Sequence, residues 1–113
     1  MKQYEIWTAS LPIREGSHVQ HGYRPVVIVS GDAINAHSSV VTIIPLTSKL
    51  HKKWYPTHVT LCGNGLDRTS VALCEHLMPL DKHDMNRCIG KVESELDRQR
   101  IQNALKCQFD MAA

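Results

Sequence analysis

Several things are scarce in this chain. Aromatic side chains make up 5% of its 113 residues, with a single phenylalanine. No apolar run approaches the roughly 20 residues that a membrane-spanning helix needs; the longest are Val26-Val27-Ile28-Val29 and Val40-Val41-Thr42-Ile43-Ile44. The opening Met1-Lys2-Gln3-Tyr4-Glu5 carries polar groups and a carboxylate where a signal peptide is apolar, so a cytosolic protein is expected. The cysteines, Cys62, Cys74, Cys88 and Cys107, form no Cys-x-x-Cys pair. That spacing argues against a zinc ribbon and leaves free thiols as the expectation. Glycine-rich phosphate loops, Gly-x-Ser-x-Gly elbows and paired-carboxylate signatures are all missing. Net charge is only +2 with the histidines neutral. This is too mild to announce nucleic-acid binding, and it permits no more than a local basic patch.

What is present suits a folded domain. With 42% hydrophobic and 21% charged residues the chain has material for a core, and residues 1–113 are expected to form one domain. Tyr4 to Leu11 alternates as a half-buried strand, with Tyr4, Ile6 and Thr8 on one face, and Pro12 stops it. Pro25 to Ser30 and Val40 to Leu46 read as strands buried on both faces. Turn residues lie between them, around a single helical turn. Thr57 to Cys62 and Ser70 to Cys74 follow as shorter strands, and Glu75 to Leu80 continues the sheet past a bend. Asp81 is placed to cap a short helix over 82–87. Ser94 with Asp97 resembles a capping box. It opens a helix whose apolar stripe is Leu96, Ile101, Ala104 and Leu105, with Gln99, Gln102, Asn103 and Lys106 facing away. Five or more strands and a final helix suggest a small curled β-barrel with helical additions.

Three stretches carry candidate chemistry. Arg24, in Gly22-Tyr23-Arg24-Pro25, stands where a loop meets a buried strand, and its planar fork suits a phosphate or a carboxylate. A structural salt bridge is the alternative for it. Thr47-Ser48-Lys49, at the end of the second buried strand, offers two hydroxyls and an ammonium to an oxyanion or a ribose. The loop Lys49, His51, Lys52, Lys53, Trp54, Tyr55 sets cations beside flat rings, as single-stranded nucleic acid requires. A solvated hairpin tip has the same composition. His18 and His21 lie in the polar loop before Arg24, placed for general acid or base work. Neither His18-x-x-His21 nor Cys74-x-His76 brings a third ligand, so no metal is expected.

Taken in order, these pieces resemble the MazF/PemK family of bacterial toxins across nearly the whole chain. The resemblance rests on Gly16-Ser17-His18-Val19-Gln20-His21-Gly22-Tyr23-Arg24-Pro25-Val26, on Val29-Ser30-Gly31-Asp32 with Asn35, and on Pro45-Leu46-Thr47-Ser48. Pro56-Thr57-His58-Val59, Gly65-Leu66, Ser70-Val71-Ala72-Leu73-Cys74-Glu75 and Leu80-Asp81-Lys82 complete it. It implies a mainly β fold with short helices, a small SH3-like curled β-barrel of the MazF/PemK/CcdB type with a C-terminal helix. It also implies a homodimer whose two-fold interface forms an RNA groove, and an antitoxin that covers that groove. The implied activity is metal-independent, sequence-selective cleavage of single-stranded RNA to 2′,3′-cyclic phosphate and 5′-hydroxyl ends, with no cofactor.

Within that resemblance Arg24 and Thr47 match the functional arginine and threonine, and His21 or His18 is the natural proton shuttle. Expected RNA-binding residues are Gln20, Ser48, Lys49, Lys52 and Lys53, together with Thr57, His58, Glu75 and His76. The chain departs from the family pattern at Tyr4-Glu5, at Ser30-Gly31-Asp32 and at Glu75-His76, where the family has Glu-Gln. The last change puts a titratable group in the expected groove. The alternatives are a CcdB-like gyrase poison, a non-catalytic RNA- or peptide-binding module on the same shape, and a zinc-binding domain.

Overall fold

A computed structural model describes residues 1–13, 15–50 and 53–112. Seven strands, β1 (Glu5–Leu11), β2 (Gly22–Ile28), β3 (Val40–Thr47), β4 (His58–Leu61), β5 (Ser70–Leu73), β6 (Met78–Asp81) and β7 (Met85–Lys91), form one sheet. Its order is β4-β5-β3-β2-β1-β7, with β6 on β3, and every pairing is antiparallel. A short helix α1 (Asp32–His37) links β2 to β3, and α2 (Glu95–Gln108) follows β7. The chain measures 34 × 33 × 28 Å. Flat sheets are thin, so a smallest dimension this large reflects a curled sheet with a helix packed on it. The fold is the expected one, mainly β with short helices and a C-terminal helix. Its hydrogen-bonded order stays open, with β4 and β7 at its ends.

The β-branched runs sit where their composition directs them. Val27 and Ile44 enter one core with Ile6, Leu61, Val92 and Ile101, while Val26, Ile28 and Ile43 enter a second with Leu11, Leu80 and Met85. Consecutive residues thus feed opposite cores, which is why β2 and β3 read as unbroken apolar stretches. Full burial of each such side chain is worth about 1.5–3 kcal/mol. β3 serves two neighbours along one edge. Val40 to Ile43 pair with β6, and Leu46 and Thr47 pair with β5. Between those pairings Cys74–His76 leaves the ladder as a 3-10 turn, the bend expected between Ser70 and Leu80.

Three local expectations fail. Residues 82–87 are not a helix. A 3-10 turn covers Lys82–Asp84, Asp81 makes no side-chain cap, and Met85–Lys91 is the edge strand β7. Pairing with β1 supplies what the short segment could not show by itself. β1 does not keep one alternation either. Irregularities in its pairing with β7, between Ile6 and Trp7 and between Thr8 and Ala9, shift the buried set from Ile6 to Ala9 and Leu11. In α2, Ser94 Oγ accepts from the Asp97 N–H at 3.2 Å, as the capping pattern predicts. Leu96, however, is exposed, while Gln102 turns inward and donates to Tyr4 Oη at 2.7 Å. Among the described residues no helix is long and apolar enough to cross a membrane.

Candidate active-site cleft

The β2–β3 register carries the site. Val26 lies opposite Pro45, Val27 opposite Ile44 and Ile28 opposite Ile43. Extending that register to the start of β2 and the end of β3 sets Arg24 across from Thr47. Both side chains line one cleft of about 810 Å³, together with Ser48 and Lys49 after β3. Leu66, Asp67 and Arg68 in the β4–β5 loop and Arg87 and Cys88 on β7 also line it. A volume of this order accommodates a small ligand or a few groups of a polymer.

The electrostatics favour an anion. Arg24, Lys49, Arg68 and Arg87 converge on the cleft against one carboxylate, Asp67. Among the described residues none of the four cations is in a salt bridge. Burial pushes the half-buried Arg24 guanidinium below its ordinary value, yet arginine stays charged in proteins. Arg24 Nε donates to the His21 carbonyl at 2.9 Å, and Arg24 Nη1 donates to Gln20 Oε1. The fork is therefore held by hydrogen bonds to the loop rather than by an ion pair. Tyr23 stands at the rim, where its hydroxyl accepts from Asn86 Nδ2. Hydrogen bonds with Thr8 and Asn86, and then the charge of Arg87, lower its phenol.

A polar cluster adjoins the cleft through Gln20. The Gln20 backbone N–H donates to His76 Nδ1 at 3.2 Å. Next to it, His58 Nε2 lies 2.7 Å from Glu75 Oε2. Burial acts to raise the Glu75 carboxyl, but hydrogen bonds from its own backbone N–H and from His58 prevail and hold it below the usual range. Burial lowers His76; Glu75 opposes that shift and His58 adds to it.

Residues 2–109 match the family described as PemK-like, MazF-like toxin of type II toxin-antitoxin system. The chain belongs to this family. It is 32% identical over 107 residues to Endoribonuclease MazF of Staphylococcus saprophyticus, covering 93% of this chain and 88% of that relative. Among solved structures it resembles the Mycobacterium tuberculosis toxin MazF-mt6, at 24% identity and a TM-score of 0.80, over 96% of this chain and 99% of that one. It also resembles an endoribonuclease in complex with its cognate antitoxin from a mycobacterial species, at 21% identity and a TM-score of 0.79. That likeness spans 100% of this chain and 98% of the other. At these identities the two structures speak for the fold.

In this PemK/MazF-family chain the expected site residues divide into groups. Arg24, Thr47, Ser48 and Lys49 share the cleft. Gln20 touches Arg24 from the side, and His21 does so through its carbonyl, while the exposed His18 and His21 side chains do not line the cleft. His58, Glu75 and His76 form the adjoining cluster, with His76 on a 3-10 turn rather than in a strand. The Thr57 carbonyl accepts from the Cys74 N–H at 3.0 Å. Lys53 is exposed and away from the cleft lining, as is Trp54; the Tyr55 ring lies 4.7 Å from that of His58. Lys52, with His51, lies outside the described residues.

Sequence reasoning missed Arg68 and Arg87. Arg87 was hidden by the helical reading of 82–87, and Arg68 looks like an ordinary turn residue. All four cysteines are free, and burial pushes the Cys74 thiol up to about 12. Among the described residues one trio of metal-ligand types comes together, Asp81, His83 and Asp84, with ligand atoms within 4.8 Å of one another. It is a surface group outside the cleft lining and uses neither His18-x-x-His21 nor Cys74-x-His76.

Proposed function

We propose that the Arg24–Thr47 cleft cuts single-stranded RNA without a metal, leaving 2′,3′-cyclic phosphate and 5′-hydroxyl ends. Family membership makes the chain an endoribonuclease toxin of a toxin–antitoxin system; the proposal concerns how it cuts and with what. The observation that carries it is the convergence of one guanidinium and one hydroxyl across the β2–β3 register, in a cleft lined by further cations.

The chemistry asks little of the protein. The substrate's 2′-hydroxyl attacks the adjacent phosphorus and loses its proton, the P–O5′ bond breaks, and the departing oxygen takes up a proton. Catalysis then consists of alignment, proton transfer and stabilisation of charge on the phosphoryl oxygens. Arg24 supplies two donors to those oxygens, and Thr47 supplies a hydroxyl on the opposite strand. Its high pKa makes Arg24 a poor base, so the proton shuttle is assigned to His21 or His18, whose exposed side chains must swing into the cleft from the loop that Arg24 grips. Ser48, Lys49, Arg68 and Arg87 bind the flanking backbone.

A similar endoribonuclease in complex with its cognate antitoxin supports an antitoxin as partner; in this reading the antitoxin covers the cleft and the working form is a homodimer. Exposed apolar side chains such as Trp54 and Phe109 leave surface for such contacts. The site of action is the cytoplasm, where the RNA is. Purified protein incubated with a defined single-stranded RNA tests the reading. Sequencing the fragment ends should reveal cuts within a short shared motif. The 3′ ends should open with a cyclic phosphodiesterase, and the 5′ ends should accept a kinase label without phosphatase treatment. Fragments with 5′-phosphates would overturn it.

A further inference from the structure

We propose that His76 is a positioning residue for Arg24, acting through Gln20, and that protonation of its ring loosens that hold and slows cleavage toward acid pH. The effect on cleavage rests on the function proposed above; the hydrogen-bond relay can be tested without it.

The direction of one hydrogen bond sets the argument. The donor to His76 Nδ1 is the backbone N–H of Gln20, which can only donate. Nδ1 must therefore carry a lone pair, so the bond exists only while the imidazole is neutral, with its proton on Nε2. The same residue, Gln20, accepts from Arg24 Nη1 through its side chain, and the next, His21, accepts from Arg24 Nε through its carbonyl. The guanidinium is thus aimed by two consecutive residues of the loop before β2. Among the described residues, the Gln20–His76 bond is this loop's one hydrogen bond to a part of the molecule other than β2. From Glu15 to Val19 the loop is exposed, so packing does little to replace that tether.

The surroundings keep the tether closed at neutral pH. Glu75, on the same turn, favours a charged ring; burial and His58 from β4 disfavour it, and their combined effect is to lower the His76 pKa. Arg24 of β2 donates to the side chain of the same Gln20. Once protonated, Nδ1 presents a hydrogen to the hydrogen of Gln20, and attraction becomes repulsion. The transition falls below the ordinary histidine range, so stabilisation of the loop by this bond is lost as pH decreases through it.

The test compares wild type with His76→Gln and His76→Ala. Single-turnover cleavage is followed between about pH 5 and pH 8, each profile normalised to its own neutral rate. The wild-type rate should fall by roughly tenfold toward the acid end, as expected for a required neutral histidine. In His76→Gln an amide oxygen can accept the same N–H at every pH, so the acid limb should become shallower than in the wild type, keeping only the part set by the proton shuttle. His76→Ala should be slow throughout, with the same shallower limb. The Gln20 amide resonance should move with the titration of His76 in the wild type and stay still in His76→Gln. An unchanged acid limb in His76→Gln, or a Gln20 amide indifferent to His76, would overturn the proposal. Failure to cut RNA at any pH would remove the functional reading, while the Gln20 resonance would still decide whether the relay exists.

Discussion

The main chains of Gly65 and Gly90 lie directly against each other. A Cβ on Gly65 would sit 1.9 Å from the Ile89 carbonyl oxygen, and one on Gly90 would sit 1.9 Å from that of Asn64. This close approach holds the β4–β5 loop, which carries Arg68, against β7, which carries Arg87, and both arginines line the cleft. Gly90→Ala tests the approach alone, since its backbone is not left-handed. It should cost about 1–3 kcal/mol of stability by overpacking. Gly65→Ala adds strain at φ +91° and should cost more. Chemical denaturation measures both, and cleavage by whatever remains folded should be weakened.

Arg24→Ala should lower the rate by about 10³-fold or more, the scale of other arginines that neutralise a phosphoryl transition state. Arg24→Lys should recover little, because an ammonium cannot reproduce two parallel donors. Thr47→Ala removes one donor and should cost roughly 10²-fold. Circular dichroism should show all three variants folded. Near-wild-type cleavage by Arg24→Ala would refute the site.

The double variant His18→Ala/His21→Ala tests the proton shuttle. A loss of about 10²–10⁴-fold is expected if either ring moves the proton. An unaltered rate would shift attention to Tyr23, the cleft phenol with a lowered pKa.

A chelator should leave the rate unchanged, because the nucleophile belongs to the substrate and the phosphoryl charge is met by guanidinium groups. If chelation stopped cleavage and a divalent ion restored it, Asp81, His83 and Asp84 would be the first group to mutate.

Arg68→Ala and Arg87→Ala should weaken RNA binding more than they slow bound-state cleavage. For every phosphate that a variant no longer neutralises, the slope of log affinity against log salt should become shallower by about 0.7. Fluorescence anisotropy across a salt series measures this. A slope equal to wild type would exclude both residues from the RNA backbone.

The parts of the site that could be read in advance share a physical property: local sequence dictates them. Arg24 and Thr47 flank β-branched runs that have little choice but to be neighbouring interior strands, and Ser94 announces a helix start whatever that helix packs on. β7 behaves otherwise. Met85-Asn86-Arg87-Cys88 has no decisive period, and it becomes a strand because β1 offers an unpaired edge. The shifted alternation in β1 has the same origin, since bulges arise from pairing rather than from composition.

The amino-acid order by itself determined the two doubly buried strands, the capped last helix and the residues standing at the strand ends, because each follows from short-range burial and backbone preference. Tertiary structure alone decided that Arg68 and Arg87 line one cleft with Arg24, and that His76 reaches Gln20. Those meetings join segments far apart in the chain, and only the close passage of two glycines and a bend between two strands brings them into one cleft or within hydrogen-bonding range.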